Sequence, residues 1–266
     1  MLTKSFTPDQ TQAITFLRRD PLRNIVLLKM LAAFPAAIET HYAEHGADVG
    51  VLLRFPTVTF AYDRHTYPDA DSVVLIATTK PELAAELLTA VPRDRPLIFK
   101  LMDRGVQQLV AASFAPLQRV TAFMSYTATE AASFKPWSTV VVSAQVDECC
   151  YPLFAMQGYT RAEVDAYLAD SGARTFTLYQ GQEAIAACFT YRNFEQIFEI
   201  GGVVTLPSER RKGHARKVVT TAVATLLQAN AIPRYQVHET NQPSLALAEQ
   251  IGLQPFATIE HWRYQP

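Results

Sequence analysis

The sequence predicts a mixed α/β fold in which helices flank a central sheet. Two observations support this prediction. Apolar, β-branched runs alternate with helical patterns along the chain. The same order also occurs twice, because each half reads as helices, a hairpin, and then strands separated by helices. We therefore expect a duplicated fold with domains at residues 1–135 and 136–266.

The first half begins with two predicted helices. Asp9 lies in the first turn of the first helix, Pro21 begins the second helix and Pro35 ends it. Residues 127–139 have weak periodicity and several Ser, Thr, Ala and Pro residues, which predicts a domain boundary there. The predicted helices are Pro8–Arg18, Pro21–Phe34, Lys80–Ala90 and Arg104–Phe114, and the predicted strands are Val49–Phe55, Val58–Tyr62, Val73–Ala77, Pro96–Leu101 and Arg119–Tyr126.

The second half repeats this order. Thr160 with Glu163 forms a capping-box pattern at the start of a helix. Gln180-Gly181-Gln182 separates two alternating runs and predicts a hairpin. The predicted strands are Val140–Val146, Arg174–Tyr179, Glu183–Tyr191, Arg234–Glu239 and Phe256–Tyr264, and the predicted helices are Arg161–Ala169 and Ser244–Ile251.

A strand, a short loop and a helix in the second half carry the functional signal. The run Val203–Leu206 predicts a buried strand, which Pro207 ends. Helix N-termini are partly positive and normally attract acidic residues. Here Glu209 faces a cluster of cations that crowd the start of the helix: Arg210, Arg211, Lys212, Arg216 and Lys217. The pattern predicts a bound phosphate or pyrophosphate, with backbone N–H groups closing around it at Gly213. A solvated basic turn is the alternative.

The spacing Arg210-x-x-Gly213-x-Ala215 resembles the pyrophosphate loop of the GNAT N-acetyltransferase superfamily, whose pattern is Gln/Arg-x-x-Gly-x-Gly/Ala. A later segment, from Asn241 to Gly252-Leu253, is similar to the Asn-x-x-(Ala/Ser)…Gly-(Phe/Leu) segment of that superfamily. The resemblance is specific for the second half and only architectural for the first. It implies the GNAT acyl-CoA fold in two halves, the second resembling the glycine-acyltransferase branch. The N-terminal half is degenerate, since Thr78–Pro81 replaces the loop without glycine or an arginine cluster.

The resemblance implies acetyl-CoA as the cofactor. The pyrophosphate would be held by the loop residues Arg210, Arg211, Lys212, Gly213, His214, Ala215 and Arg216, with His214 offering its backbone. The pantetheine arm would pair with the backbone of Val203, Val204 and Thr205, and one of these N–H groups would be the oxyanion donor. Asn241 matches an asparagine that binds the pantetheine region, while its alternative role is that of a turn residue before Pro243.

Two further features concern catalysis. Gly201-Gly202 inside a strand predicts a β-bulge. Glu199 matches the position of a general-base glutamate in one branch of the superfamily, and an apolar strand would raise the pKa of such a carboxylate. An exposed strand-end Glu is the alternative. The usual acidic tyrosine is replaced by Ala248, so the acid is Ser244, a water, or a tyrosine such as Tyr235 or Tyr264, or the step needs no dedicated acid.

The function implied is an N-acetyltransferase that acts by direct transfer on a primary amine of a small molecule. A catalytically silent acyl-CoA binding or sensing protein is the alternative. A net charge of −1 argues against nucleic acid as a partner, and the start of the chain lacks an apolar signal core. Three cysteines without metal-ligand spacing predict reduced, buried thiols and no metal. We expect a cytoplasmic protein that makes no membrane contact and is a monomer or a homodimer.

Overall fold

The computed structural model describes residues 8–266, which form two compact units. Unit 1 contains residues 8–123 together with Ala257–Pro266, and unit 2 contains Met124–Phe256. The sequence predicted a division between residues 135 and 136. In the structure residues 124–135 group with unit 2, because strand β5 passes from one unit into the other. The last ten residues group with unit 1, because the final strand pairs there.

Helices and strands alternate along the described chain. The α-helices are α1 (Pro8–Leu17), α2 (Ile25–Ala33), α3 (Ala61–Thr66), α4 (Leu83–Leu87), α5 (Arg104–Ser113), α6 (Tyr151–Ala155), α7 (Arg161–Leu168), α8 (His214–Gln228) and α9 (Gln242–Gln250). The strands are β1 (Glu39–His45), β2 (Asp48–Pro56), β3 (Ser72–Thr78), β4 (Leu97–Leu101), β5 (Leu117–Thr127), β6 (Val140–Ser143), β7 (Arg174–Gln180), β8 (Glu183–Phe194), β9 (Ile197–Thr205), β10 (Ile232–His238) and β11 (Gln254–Tyr264).

Unit 1 has the strand order β1-β2-β3-β4-β11-β5. Strands β3 and β4 are parallel, as expected for two strands joined by a helix, and β11 is antiparallel to β4. Apolar side chains of α4 and α5 pack on β3 and β4, and the core includes Val74, Phe99 and Phe114. The last strand of the chain therefore completes the unit that contains the first strands.

Unit 2 has the strand order β5-β10-β9-β8-β7-β6. One face carries a core formed with α8 and α9, which includes Val219, Ala222 and Ala248. The opposite face carries a smaller core formed with α6 and α7, which includes Phe154 and Phe189. The side chains of β9 alternate between these two cores.

The predicted mixed sheet with flanking helices is confirmed. The capping box at Thr160 and Glu163 is also confirmed, with both reciprocal hydrogen bonds present. Gly181 has a positive φ of 62° between β7 and β8, as the predicted hairpin requires. Local patterns of this kind were sufficient because the contacts that form these elements lie close in sequence.

The prediction of a strand over Val58–Tyr62 is wrong. Residues Thr57–Thr59 form a 3-10 turn and α3 follows it. The hairpin partner of β2 is instead β1, which the prediction missed because its side chains are mostly polar and partly exposed. Cys149 is exposed, so the prediction of buried thiols holds only for Cys150 and Cys188. Within residues 8–266, no helix combines the length and apolarity required to cross a bilayer.

Candidate functional site

Strand β9 separates from β10 halfway along its length. The two strands pair in parallel at three positions, the last of which joins Glu199 to Arg234. Beyond that position β9 stays paired with β8, up to Thr205 opposite Ala186. The other edge of β9 therefore presents backbone N–H and C=O groups that no strand of the described chain uses. We call the position of Glu199 and Arg234 the fork.

The predicted bulge lies just beyond the fork and is confirmed. The register of β9 against β8 shifts between the pairs Phe189–Gly201 and Ala187–Val204, so two residues of β9 face Cys188. Gly202 has a positive φ of 61°, and a Cβ there would lie 2.3 Å from the Phe189 ring. The bulge therefore requires glycine both for its backbone conformation and for space.

Strand β9 leads into a turn of residues 206–213, which we call the basic turn. Arg211 and Gly213 both have positive φ values, 63° and 81°. Gly213 occupies the N-cap position of α8 without a side-chain cap, and no atom lies within 4 Å of the place its Cβ would take. The N–H groups of His214, Ala215 and Arg216 belong to the first helical turn, where no intrahelical acceptor exists. The turn thus combines unused donors, the positive helix end and open space, as anion sites do.

The charges of the basic turn divide into two sets. Glu209 accepts a hydrogen bond from Lys212 at 2.8 Å and contacts the His214 ring at 3.3 Å, and Lys212 lowers the pKa of this carboxyl. The His214 ring is therefore engaged by Glu209. The part of His214 that can contact a ligand is its backbone N–H, in the first turn of α8. Arg211 and Arg216 are exposed and form no ion pair within the described part of the chain.

The remaining arginine of the turn contacts the strand. The Nε of Arg210 donates to the Thr205 carbonyl at 3.4 Å. Val203 packs against the core on the α8 face and Val204 is buried in the core on the opposite face. Their side chains therefore serve packing, and only their backbone groups are available at the open edge.

Glu199 is buried at the fork, where polar groups surround it. Its Oε2 accepts hydrogen bonds from the Arg234 guanidinium and from Asn193 Nδ2 (2.7 Å). Its Oε1 accepts the backbone N–H of Gln236 at 3.0 Å. Gln236 is the second residue of β10 beyond the fork, where the pairing of β10 with β9 has ended. The Glu199 carboxylate therefore accepts a backbone N–H that β9 does not bind.

Both sequence-based expectations for the surroundings of Glu199 are therefore wrong. The side chain is neither in an apolar environment nor at an exposed strand end, since only 7% of it is exposed and the similarly buried Arg234 balances its charge. Arg234 also donates to Ser125 Oγ at 3.1 Å. The partners of Glu199 come from β8 and β10, and no local pattern near Glu199 indicated them. The signal available in the sequence was Arg234, the single arginine of the mostly apolar strand β10, which indicates a buried acidic partner.

The side chains considered as the general acid lie in different units. Burial raises the pKa of Tyr235 to about 12, and a hydrogen bond from the Ser244 side chain opposes that rise. Tyr264 lies in unit 1, where its hydroxyl donates to the Arg93 carbonyl at 2.8 Å. Ala248 is fully buried in the same core as Tyr235. Ser244 and Tyr235 are therefore the two of these side chains that lie in unit 2, and a water or a step without a dedicated acid stay open as alternatives.

Asn241 begins helix α9. Its Oδ1 accepts the backbone N–H of Ser244 at 3.2 Å, which makes it an N-cap. The carboxamide nitrogen remains on an exposed side chain. The structural role expected as the alternative is thus present, and the role in binding pantetheine stays a prediction.

Comparisons with known proteins agree with this geometry. A model of the family described as GNAT acetyltransferase matches residues 163–259. A GCN5-related N-acetyltransferase from Kribbella flavida is similar over 98% of this chain and 97% of its own, with a TM-score of 0.56 and 12% identity. A tandem GNAT protein from the clavulanic acid biosynthesis pathway is similar over 97% of this chain and 94% of its own, with a TM-score of 0.53 and 12% identity.

A third structure, a GCN5-related N-acetyltransferase-like protein from Streptococcus suis, is similar over 96% of this chain and 98% of its own, with a TM-score of 0.51 and 12% identity. Among curated proteins, none matches the sequence. The chain is thus an α/β protein with the GNAT fold. The residues that match the GNAT acetyltransferase family model, 163–259, include the fork and the basic turn.

The residues present fit the acyl-CoA that this fold implies. The space beside Gly213 is open, so a ligand group can lie where a side chain at this position would project. The N–H groups at the start of α8 and the two arginines without an ion pair among residues 8–266 suit a diphosphate. The open edge of β9 suits a chain that binds as an additional strand.

Proposed function

We propose that this protein is an N-acetyltransferase that moves an acetyl group from acetyl-CoA directly to a primary amine of a small molecule. The observation that carries the proposal is the fork, from which the free edge of β9 leads into the basic turn. An open strand edge that ends at an anion site suits a ligand with an extended amide-bearing arm and a diphosphate. The family match at residues 163–259 supports the same assignment.

The basic turn would hold the diphosphate. Backbone N–H groups from Arg211 to Arg216 would close around it, and the side chains of Arg210, Arg211 and Lys212 would add positive charge. A hydrogen bond to a charged group contributes about 1.5–3 kcal/mol. Arg211 and Arg216 are exposed and have no carboxylate partner among residues 8–266, so binding there would not require an ion pair of the described chain to break.

The open edge of β9 would position the reacting group. Val203, Val204 and Thr205 offer backbone groups at this edge, and one of their N–H groups would stabilise negative charge on the carbonyl oxygen. Bound acetyl-CoA supplies the thioester carbonyl that the amine attacks. Holding that carbonyl against a fixed strand reduces the entropy cost of bringing it to the amine.

Two sets of side chains would transfer protons, one as the general base and one as the general acid. Glu199 would accept the proton that the amine loses, using the lone pair of Oε1 that Gln236 leaves free. Ser244, together with Tyr235, would donate a proton to the leaving sulfur. Both assignments concern residues on strands or helices next to the fork, and both are testable by substitution.

Calorimetric titration with acetyl-CoA tests the proposal. We expect Gly213→Trp and Arg211→Glu to abolish binding while the far-UV spectrum stays unchanged. Gly46→Trp is a matched control, because Gly46 has a similar φ of 65° and open space around it, but lies in the β1–β2 turn of unit 1. Arg104→Glu repeats the charge change on an exposed residue of α5. Equal binding by all four variants would overturn the proposal.

One observation favours a second function, that of a catalytically silent acyl-CoA binding protein. Ala248 provides no acid, and three donors already occupy the Glu199 carboxylate. A thiol-release assay over amino acids, polyamines, aminoglycosides and peptide N-termini separates the two functions. Release of free CoA with any amine eliminates the silent protein, whereas binding without release from any of them favours it.

We also infer that unit 1 is a degenerate copy of unit 2. Two helices, a strand pair and then strands alternating with helices occur in both units. The turn after β3 has neither glycine nor an arginine cluster. Acetyl-CoA should therefore bind with a stoichiometry of one per chain, and a stoichiometry of two would contradict this inference.

A further inference from the structure

Five aromatic rings lie together on the α6 and α7 face of unit 2, next to the bulge of β9. Neighbouring rings have centroids 4.3 to 6.3 Å apart, so they pack directly against one another. We call this cluster the aromatic wall, and its members are Phe154, Tyr159, Tyr167, Phe189 and Tyr191. The two phenylalanines are fully buried, whereas the three tyrosines are half-buried. The tyrosines therefore form the part of the wall that solvent reaches.

Strand pairing places Glu199 on the same face of the sheet as the aromatic wall. Tyr191 of β8 pairs with Glu199, and Phe189 pairs with Gly201. Side chains of directly paired residues lie on one face of a sheet. A Cβ on Gly201 would lie 3.2 Å from Tyr191 Cε1 and 3.7 Å from the Tyr159 hydroxyl oxygen. Burial chiefly raises the pKa of the three tyrosine hydroxyls, and the negative charge of Glu199 contributes to each rise. The aromatic wall therefore borders the proposed general base.

An acceptor without a partner lies beside Glu199. Asn193 Nδ2 donates to Glu199 Oε2 at 2.7 Å, which fixes the orientation of the carboxamide because a carboxylate requires a donor. Asn193 Oδ1 is buried and has no hydrogen-bond partner among residues 8–266. Buried acceptors are rarely left unsatisfied in folded proteins. Asn193 Oδ1 and the Glu199 carboxylate together suit an ammonium group, which has three donors and no acceptor.

The charges around the aromatic wall favour a cation over an anion. Glu163 of α7 contributes, after burial, to the raised pKa of both Tyr159 and Tyr167, so a second carboxylate lies near the wall. The arginines of α7, β8 and β10 each have an acidic partner, in the pairs Arg161–Glu148, Arg192–Asp170 and Arg234–Glu199. Arg234 Nε lacks a hydrogen-bond partner among the described residues, but Glu199 already balances the charge of that guanidinium. Ring faces and carboxylates both attract a protonated amine, whereas a carboxylate on the ligand would meet like charge.

We propose that the aromatic wall selects the acceptor, and that this acceptor is a primary amine with an apolar body and no carboxylate group. Its ammonium binds Asn193 Oδ1 beside Glu199. Its apolar body lies against the rings of Tyr159, Tyr167 and Tyr191. This inference rests on the proposed function, because it names the class of amine that the same site would acetylate.

A matched pair of amines tests the inference. 2-Phenylethylamine and phenylalanine differ only by a carboxylate, and release of CoA is measured with each of them at saturating acetyl-CoA. We expect kcat/KM for 2-phenylethylamine to exceed that for phenylalanine at least about tenfold, because the carboxylate would face Glu163 and Glu199. Hexylamine should resemble 2-phenylethylamine. A higher kcat/KM for phenylalanine would overturn the inference while the proposed function stands.

Variants of the wall give a second test. Tyr167→Leu removes one ring face and should raise KM for 2-phenylethylamine about tenfold, whereas Tyr167→Phe keeps the ring and should change KM less than about twofold. Asn193→Ala removes the acceptor and should also raise KM about tenfold. Tyr151→Leu is the matched control, because Tyr151 packs on the same core while its ring contacts the Arg161 guanidinium, 4.0 Å from the centroid. An unchanged KM in Tyr167→Leu, or an equal rise in Tyr151→Leu, would overturn the inference.

Calorimetry separates failure of the inference from failure of the proposed function. Every variant of the wall should keep the wild-type affinity for acetyl-CoA, since the basic turn is unaltered. Binding of acetyl-CoA without release of CoA by any amine would overturn the proposed function. In that case, titration of the acetyl-CoA complex with 2-phenylethylamine still decides whether the wall binds amines. Binding that Tyr167→Leu weakens supports the inference, and no binding overturns it.

Discussion

The turn after β3 in unit 1 and the basic turn after β9 in unit 2 each join a strand to a helix but are built differently. In unit 1, the Thr79 N–H donates to the Val49 carbonyl and its hydroxyl accepts the Val49 N–H, at 2.9 and 3.0 Å. Lys80 pairs with Asp48 at 2.7 Å. The donors and charges of this turn are thus used within the protein. In unit 2, Arg211 and Gly213 adopt positive φ and the helix start has no side-chain cap.

The parallel strand pairs that precede the two turns also end differently: β4 ends at Leu101, one residue beyond its last pair with β3, whereas β10 continues to His238 beyond its last pair with β9. Strands β3 and β4 pair at four positions, the last joining Leu75 to Lys100, and β3 then continues to Thr78. Each unit has a buried ion pair that includes a residue of its last parallel strand pair, Asp63–Lys100 in unit 1 and Glu199–Arg234 in unit 2. The buried charge pair is thus common to the two units, whereas the diverging strand and the turn rich in cations belong to unit 2 among the described residues.

Breaking the buried ion pairs gives the largest expected effect. Glu199→Gln leaves Arg234 without a counter-charge in a buried site, which should cost about 3–5 kcal/mol of unfolding free energy. Asp63→Asn should cost a similar amount, since the Lys100 ammonium lies 2.6 Å from Asp63 and both side chains are buried. Urea denaturation measures both effects. Turnover should fall only in the Glu199 variant.

The double variant Glu199→Gln/Arg234→Met distinguishes stability from catalysis. It removes both charges and keeps an acceptor for the Gln236 N–H, so much of the stability should return. Turnover should stay low if Glu199 is the base. Recovery of turnover together with stability would show that Glu199 only supports the fork.

An intermediate effect is expected from Arg211→Asn, which separates backbone strain from charge. Asparagine tolerates positive φ better than arginine, so stability should rise by a few tenths of a kcal/mol. Affinity for acetyl-CoA should fall about 10- to 100-fold through the lost charge-assisted contact. Thermal unfolding and calorimetry measure the two quantities. Unchanged affinity would remove Arg211 from the anion site.

The sequence was sufficient to predict the parts of the site that are local. The strand, basic turn and helix follow from periodicity, and Gly201-Gly202 indicated the bulge. The contacts around Glu199 were not predicted, because Arg234 is 35 positions away and only the folded sheet brings it close. The pairing of β11 with β4 is equally distant in sequence and leaves no local signal.

A smaller effect on stability is expected at two matched glycines. Gly213→Ala and Gly46→Ala each force alanine into the left-handed region, where both glycines have open space around the missing Cβ. Each should cost about 1 kcal/mol of unfolding free energy. Only Gly213→Ala should also weaken acetyl-CoA binding, because the reoriented N–H groups lie in the basic turn. Weaker binding in the Gly46 variant would show a general loss of folding instead.

The smallest effect concerns Glu209, the acidic residue of the basic turn. The pKa of this carboxyl is lowered chiefly by its hydrogen bond with Lys212, so it stays ionised at neutral pH and loses that interaction only on acidification below its usual range. In Glu209→Gln the negative charge next to the anion site disappears and Lys212 is released. Affinity for acetyl-CoA should therefore rise about threefold at low ionic strength, and the gain should vanish in high salt, where exposed charges are screened. Calorimetry at two salt concentrations measures this difference. Weaker binding at low salt would mean instead that the ionised carboxylate is needed to hold the turn in its binding conformation, a role that has no counterpart in the closed turn of unit 1.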